Sequence, residues 1–299
     1  MVLGVDIGGS HISVAIIDEK KPNQIQQIYT MKVGHKDDLN LILESWMCTI
    51  DLAIDNLGEE KLKGIGIAIP GPFDYKNGIF PKKGESKFDT LCNVNLKSCI
   101  IEKLNLDPSV FVRFYNDAAC FGIGEAWVGE LIPYQKSIAI TLGTGLGATF
   151  LNKGVPLTKG KGVPLYGELY HLPFGDGIAD THFSTQWFQR RYKEITGQDI
   201  AGVKELIACK EHLKITTQIF KEFAQNLAFF LSSWIQDFDA EGIVIGGNIS
   251  NAWSFFEKEL YTAFNVLRIE IPIHKSKLQE NAALMGGARL TDNHFYNIL

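Results

Sequence analysis

Apolar residues in this chain alternate between short unbroken runs and longer stretches spaced by three and four. The first run, Val2 to Val5, is separated by Gly8-Gly9 from a second, Ile12 to Ile17, and the pair reads as a β-hairpin. A further strand is expected over Gln26 to Val33. Leu39, Ile42, Leu43, Trp46, Ile50, Ala53, Ile54 and Leu57 then recur at helical spacing, with Asp37 or Asp38 placed to cap the start and Gly58 to end it. Gly64 to Ile69 is an apolar strand stopped by Pro70-Gly71-Pro72. A polar loop from Asp74 to Asp89, a short helix from Leu96 to Leu104 and a strand from Val110 to Phe114 complete this part.

The order then recurs. Ser137 to Thr141 is a strand, Leu142 to Gly147 a glycine turn, and Ala148 to Leu151 the returning strand. A long amphipathic helix runs through Ile219, Phe223, Leu227, Leu231 and Phe238, and the strand Ile243 to Ile245 is broken by Gly246-Gly247. A hairpin with a glycine turn, then helix, strand, helix and strand, twice over, points to an internal duplication: two α/β domains around a central cleft. The expected boundaries are 1–116 for an N-terminal domain, rejoined by a C-terminal helix over 282–299, and 117–281 for a C-terminal domain.

The candidate chemistry lies at the ends of these strands. Asp6 precedes Gly8, Gly9 and Ser10; glycines let the backbone come close to a ligand and turn its N–H groups toward phosphate oxygens, and a neighbouring carboxylate can hold Mg²⁺ through water. A plain hairpin turn is the structural alternative. Thr141, Gly143, Thr144 and Gly145 form a second such turn at the matching place in the repeat. It has neither the spacing of a dinucleotide fingerprint nor that of a P-loop. Asn116-Asp117 follows a strand and opens a helix, so Asp117 is either an N-cap or a base that takes a proton from a hydroxyl. Glu168 and His171 would share one face if their turn is helical, either as contacts to sugar-like hydroxyls or as structural residues. Gly246-Gly247 would let an adenine approach the backbone, or is an ordinary strand-to-helix turn.

Composition narrows the class. With 299 residues the chain can bury a large core, and a net charge of −5 offers no basic surface for nucleic acid or anionic lipid. The five cysteines, Cys48, Cys92, Cys99, Cys120 and Cys209, are scattered with no C-x-x-C pair, which fits free thiols in a reducing compartment and gives no zinc spacing. With no apolar run of membrane-spanning length and no leader before Val2, the expectation is a cytoplasmic protein without membrane or nucleic-acid partners.

Taken in order, VDIGGSHISVAIID (5–18), IGIAIPGP (65–72), NDAACFGIGE (116–125), ITLGTGLGATFLNKGVPL (140–157), GELYH (167–171) and IVIGGNIS (243–250) resemble the ROK family of sugar kinases over nearly the whole chain. The resemblance implies a duplicated actin-like, ribonuclease-H-like ATPase fold and ATP-dependent phosphorylation of a hexose or N-acetylhexosamine. It implies ATP and Mg²⁺ as cofactors, with Asp6, Gly8, Gly9 and Ser10 in a first phosphate loop and Thr141, Gly143, Thr144 and Gly145 in a second. Gly246 and Gly247 would lie near the adenosine, Asn116, Glu168 and His171 on the sugar, and Asp117 would be the catalytic base. A homodimer is also implied. The chain departs from the family where a cysteine run usually binds zinc with the histidine: LPFGDGIADTHF, between His171 and Ser184, has no cysteine, so no zinc site is expected. The family glutamate that contacts a sugar hydroxyl falls on Asp180, one methylene shorter, and the glycine between Glu168 and His171 is Tyr170. Cysteine-free relatives include polyphosphate-using glucokinases. A sugar-binding or regulatory protein with reduced catalysis is the other alternative, while the position of Asp6 argues against a winged-helix repressor.

Overall fold

The computed structural model describes residues 1–34, 37–82, 84 and 88–299; the expected loop from Asp74 to Asp89 lies partly outside them. In chain order its elements begin with β1 (Val2–Ile7), β2 (His11–Ile17), β3 (Ile25–Lys32), α1 (Leu39–Asp55), β4 (Gly64–Ile69), α2 (Leu96–Lys103), β5 (Phe111–Asn116) and α3 (Asp117–Val128). They continue with β6 (Lys136–Leu142), β7 (Leu146–Asn152), β8 (Val155–Leu157), β9 (Pro173–Phe174), β10 (Gly177–Ile178), α4 (Ala179–His182), α5 (Thr185–Thr196), α6 (Val203–Ala208) and α7 (Leu213–Phe238). Last come β11 (Gly242–Gly246), α8 (Trp253–Val266), β12 (Ile273–Lys275), α9 (Asn281–Arg289) and α10 (Asn293–Tyr296).

Contacts divide the chain into two units, Met1–Gly129 with Glu280–Leu299, and Glu130–Gln279. In the first, a five-stranded sheet runs β3-β2-β1-β4-β5. β1 pairs antiparallel with β2 and β2 with β3, whereas β1 pairs parallel with β4 and β4 with β5. Period-2 alternation sends Leu3, Val5 and Ile7 into one core with Ile42, Trp46 and Ile50 of α1, and Val2 to the other face with Leu284, Met285 and Ala288 of α9. Asp38 caps α1 by accepting the Asn40 N–H at 2.8 Å.

The division falls after α3, not after Asn116 as expected. A Cβ on Gly124 would sit 1.9 Å from the Ala282 carbonyl oxygen, and one on Gly286 would sit 1.8 Å from that of Cys120. Helices α3 and α9 thus meet backbone to backbone, which ties α3 to the unit that holds the C-terminal segment.

The second unit has a five-stranded sheet in the order β12-β11-β6-β7-β8. β6 and β7 are antiparallel, as are β7 and β8, while β6 pairs parallel with β11 and β11 with β12. Both sheets therefore have one connectivity, three antiparallel strands followed by two parallel ones, and the fold is a duplicated one. Its core is aromatic: Phe220 and Phe223 of α7 pack with Phe188 and Phe256. Among the described residues no helix is long and apolar enough to cross a membrane.

Candidate active site

Parallel strands expose their carboxyl ends to whatever an α/β unit binds. In the first unit β1, β4 and β5 end together: Asp6 lies in register with Ala68, Ala68 with Tyr115, and Ile69 with Asn116. Asp6 thus stands two strands from the residues that open α3. Part of Asp6 remains open to solvent, yet its carboxyl is pushed up to about 7, chiefly by burial, then by the charges of Asp117 and Glu280. Gly8, Gly9 and Ser10 form the turn after Asp6, closed by a hydrogen bond from the Gly8 N–H to the His11 carbonyl at 3.0 Å.

Asn116 and Asp117 divide the work that either could have done. The Asn116 Oδ1 accepts the Ala119 N–H at 3.0 Å and caps α3. Asp117 occupies the first helical position, where its carboxylate meets the positive end of the helix and Oδ1 accepts the Ala118 N–H at 2.8 Å. Tyr75 was not singled out from sequence. Its hydroxyl receives the Asn116 Nδ2–H at 3.4 Å and donates to the Ile69 carbonyl at 3.4 Å, so the two faces of the Asn116 amide are assigned. A lone tyrosine after a Pro-rich turn carries no motif that would have found it.

The second unit repeats the geometry at the ends of β6 and β11. Thr141 is in register with Gly246, and the Gly143 N–H reaches the Gly145 carbonyl at 3.1 Å across the turn. Gly247 has φ 79°, and a Cβ there would lie 2.5 Å from the Leu142 carbonyl oxygen. Only glycine suits that position, and it brings Gly246-Gly247 against the base of the turn.

Glu168 to His171 differs from the helical reading. Tyr166 has φ 60° and Glu168 is extended at φ −108°, ψ 137°, so Glu168 and His171 share no helical face. The His171 ring lies edge-on to Tyr170, 5.1 Å between centroids. The stretch is tied to α4 by the Asp180 N–H, which donates to the Tyr170 carbonyl at 2.9 Å. Asp180 itself turns to the glycine turn: its Oδ1 accepts the Leu146 N–H at 2.7 Å. Thr185 is a second residue missed from sequence; its N–H and Oγ1 both donate to the Gly143 carbonyl, at 2.8 and 2.9 Å. The structure therefore gathers Asp6, Gly8, Gly9, Ser10, Asn116 and Asp117 in the first unit. It gathers Thr141, Gly143, Thr144, Gly145, Gly246, Gly247, Asp180 and the 168–171 stretch in the second.

Residues 2–294 match the model of the ROK family. The chain is 24% identical to an N-acetyl-D-glucosamine kinase of Haemophilus influenzae, over 97% of this chain and 99% of that protein. It is 27% identical to a glucokinase of Thermotoga maritima, over 84% of this chain and 83% of that one. A ROK family glucokinase from Streptomyces griseus, solved with glucose and AMPPNP, has the same fold at a TM-score of 0.77, with 20% identity over 97% of this chain and 98% of the other.

Proposed function

The chain belongs to the ROK family, and on that premise we propose that it phosphorylates a hydroxyl of a hexose or N-acetylhexosamine with ATP as donor. The observation that carries the reading is the placement of Asp6 at the carboxyl end of β1 and of Asp117 directly after β5 at the start of α3, with β1, β4 and β5 ending together. Phosphoryl transfer asks a protein chiefly for a positioned base and for neutralised phosphate charge. Asp117 takes the proton of the sugar hydroxyl, whose oxygen then attacks the terminal phosphate in line. Asn116, with its amide assigned by the capping bond and by Tyr75, presents a donor to the same sugar, and Glu168 and His171 supply further polar contacts.

The residues fit a magnesium ion. Burial and the charge of Asp117 raise the proton affinity of Asp6, and a nearby cation would favour its ionised form. Among the described residues no group of three or more His, Cys, Asp or Glu side chains is arranged for a metal. Asp6 would therefore hold Mg²⁺ through water, together with the donor's own phosphates. The ion supplies charge neutralisation at those phosphates. Gly8, Gly9, Ser10, Thr141, Gly143, Thr144 and Gly145 provide the backbone that holds phosphate, and Gly246-Gly247 the surface for the adenosine.

ADP release is measured over glucose, N-acetylglucosamine, N-acetylmannosamine, fructose, mannose and allose, with ATP and separately with polyphosphate as donor. Turnover of at least one sugar with ATP is expected. Silence with every pairing would sink the reading in favour of a sugar-binding protein, and product formation with polyphosphate alone would reassign the donor.

A further inference from the structure

We propose that Asp180 is a positioning residue for the second glycine turn, holding it in the shape that receives the donor's phosphates; this rests on the kinase reading above. Thr144 and Gly145 lie at the tip of the turn, and the structure fastens it on both sides of them. On one side Thr185 sends two donors, its N–H at 2.8 Å and its Oγ1 at 2.9 Å, to the carbonyl of Gly143. On the other the Asp180 carboxylate takes the Leu146 N–H at 2.7 Å, the length of a charge-assisted bond. Gly145 leaves room for the contact: a Cβ there would fall 2.8 Å from Asp180 Oδ1, so a larger residue would require the carboxylate to shift.

The brace is itself anchored. The Asp180 N–H donates to Tyr170 O at 2.9 Å, and the buried Ala179 donates to Leu172 O at 2.8 Å. A glycine turn left to itself samples many backbone states, and donors aimed at phosphate act only when that freedom is removed beforehand. Asp180 removes it with one oxygen. The contact also gives a reason for the shorter side chain. An aspartate here lies at hydrogen-bond distance from Leu146 N, whereas the resemblance assigned the longer family side chain to a sugar hydroxyl.

MgADP is titrated calorimetrically, without sugar, into the full-length wild type and into Asp180→Ala, Asp180→Asn and Thr185→Val. Asp180→Ala is expected to weaken MgADP about tenfold. Asp180→Asn keeps an acceptor oxygen and should lose no more than about threefold. Thr185→Val removes one of two donors to Gly143 and should lose about two- to fourfold. Sugar affinity should stay within about twofold of wild type in all three, and thermal unfolding reports whether each variant is folded. Hydrogen exchange of the Leu146 amide should quicken in Asp180→Ala. Wild type that binds no MgADP overturns the kinase reading and the ligand assigned here. Wild type that binds, with Asp180→Ala binding equally well and sugar weakened instead, overturns the brace alone and makes Asp180 a sugar contact.

Discussion

The two glycine turns occupy the same place in two sheets of one topology, yet different partners support them. The first, at Gly8 to Ser10, is closed by the Gly8 N–H on the His11 carbonyl and held by the backbone Val33 N–H on the Ser10 carbonyl, both at 3.0 Å. Its acid stands inside the unit's strand ends, where Asp6 and Asp117 act on one another. The second, at Gly143 to Gly145, is closed by the Gly143 N–H on the Gly145 carbonyl and braced by the side chains of Asp180 and Thr185. On the proposed kinase reading both copies of the duplicated backbone would offer donors to phosphate, and the first would add the carboxyl groups that handle a proton and a cation.

The comparison breaks most sharply at Asp117. Asp117→Asn keeps an oxygen for the Ala118 N–H and should leave the start of α3 intact. It cannot accept the hydroxyl proton, so kcat should fall about 10²- to 10⁴-fold. Nucleotide affinity, which the proposal assigns to the two glycine turns and not to Asp117, should change little; a variant with normal turnover would remove Asp117 from the chemistry.

Asp6→Asn should lower kcat/KM for MgATP by about 10²-fold through loss of the cation's anchor, and it has a second readout in the ligand-free chain. The Asp6 carboxyl rises from 3.8 to about 7 on folding. A group raised in the folded state contributes stability that is complete below its unfolded value and is lost as pH climbs through the folded one. Wild type should therefore lose stability relative to Asp6→Asn between pH 4 and 8, by at most about 4 kcal/mol. Thermal unfolding across that range measures it: the variant should melt higher at pH 8, and the gap should close near pH 4. Saturating Mg²⁺-nucleotide should narrow the gap at pH 8, since it favours the ionised carboxylate of the wild type.

Much of this contrast was legible in the chain. β1, β4, β6 and β11 each carry a short apolar run followed by glycine or proline, and such runs mark buried strands. Asp6 and Asp117 were legible because both stand at strand ends beside small residues. Other features depended on partners distant in sequence. The membership of α3 rests on backbone contact at Gly124 and Gly286, which leaves no periodic signal. A shared face for Glu168 and His171 depended on a helical turn, and the left-handed Tyr166 with the extended Glu168 excludes that condition. Asp180 was legible as a carboxylate but not as a brace, because its partner Leu146 lies on another element. Tyr75 acts through its hydroxyl and Thr185 through its hydroxyl and backbone N–H, and no local pattern marks a donor that reaches across an element.

The smallest effect sharpens the comparison from the sugar side. Tyr75 packs edge-on to Phe73, 5.6 Å between centroids, and beside Tyr115 at 5.9 Å, so Tyr75→Phe preserves the ring and deletes only the hydroxyl. That hydroxyl joins the Asn116 amide to the Ile69 carbonyl, two neutral bonds at the long end of the range. Losing it should raise the sugar KM about three- to tenfold while kcat stays within about twofold. The KM for MgATP should not move, because the second turn draws its support from Asp180 and Thr185. Steady-state kinetics with each substrate varied in turn distinguish the cases. A rise in both KM values would show that the two turns are not independently supported. An unchanged sugar KM would show that the capping bond to Ala119 alone is enough to orient Asn116.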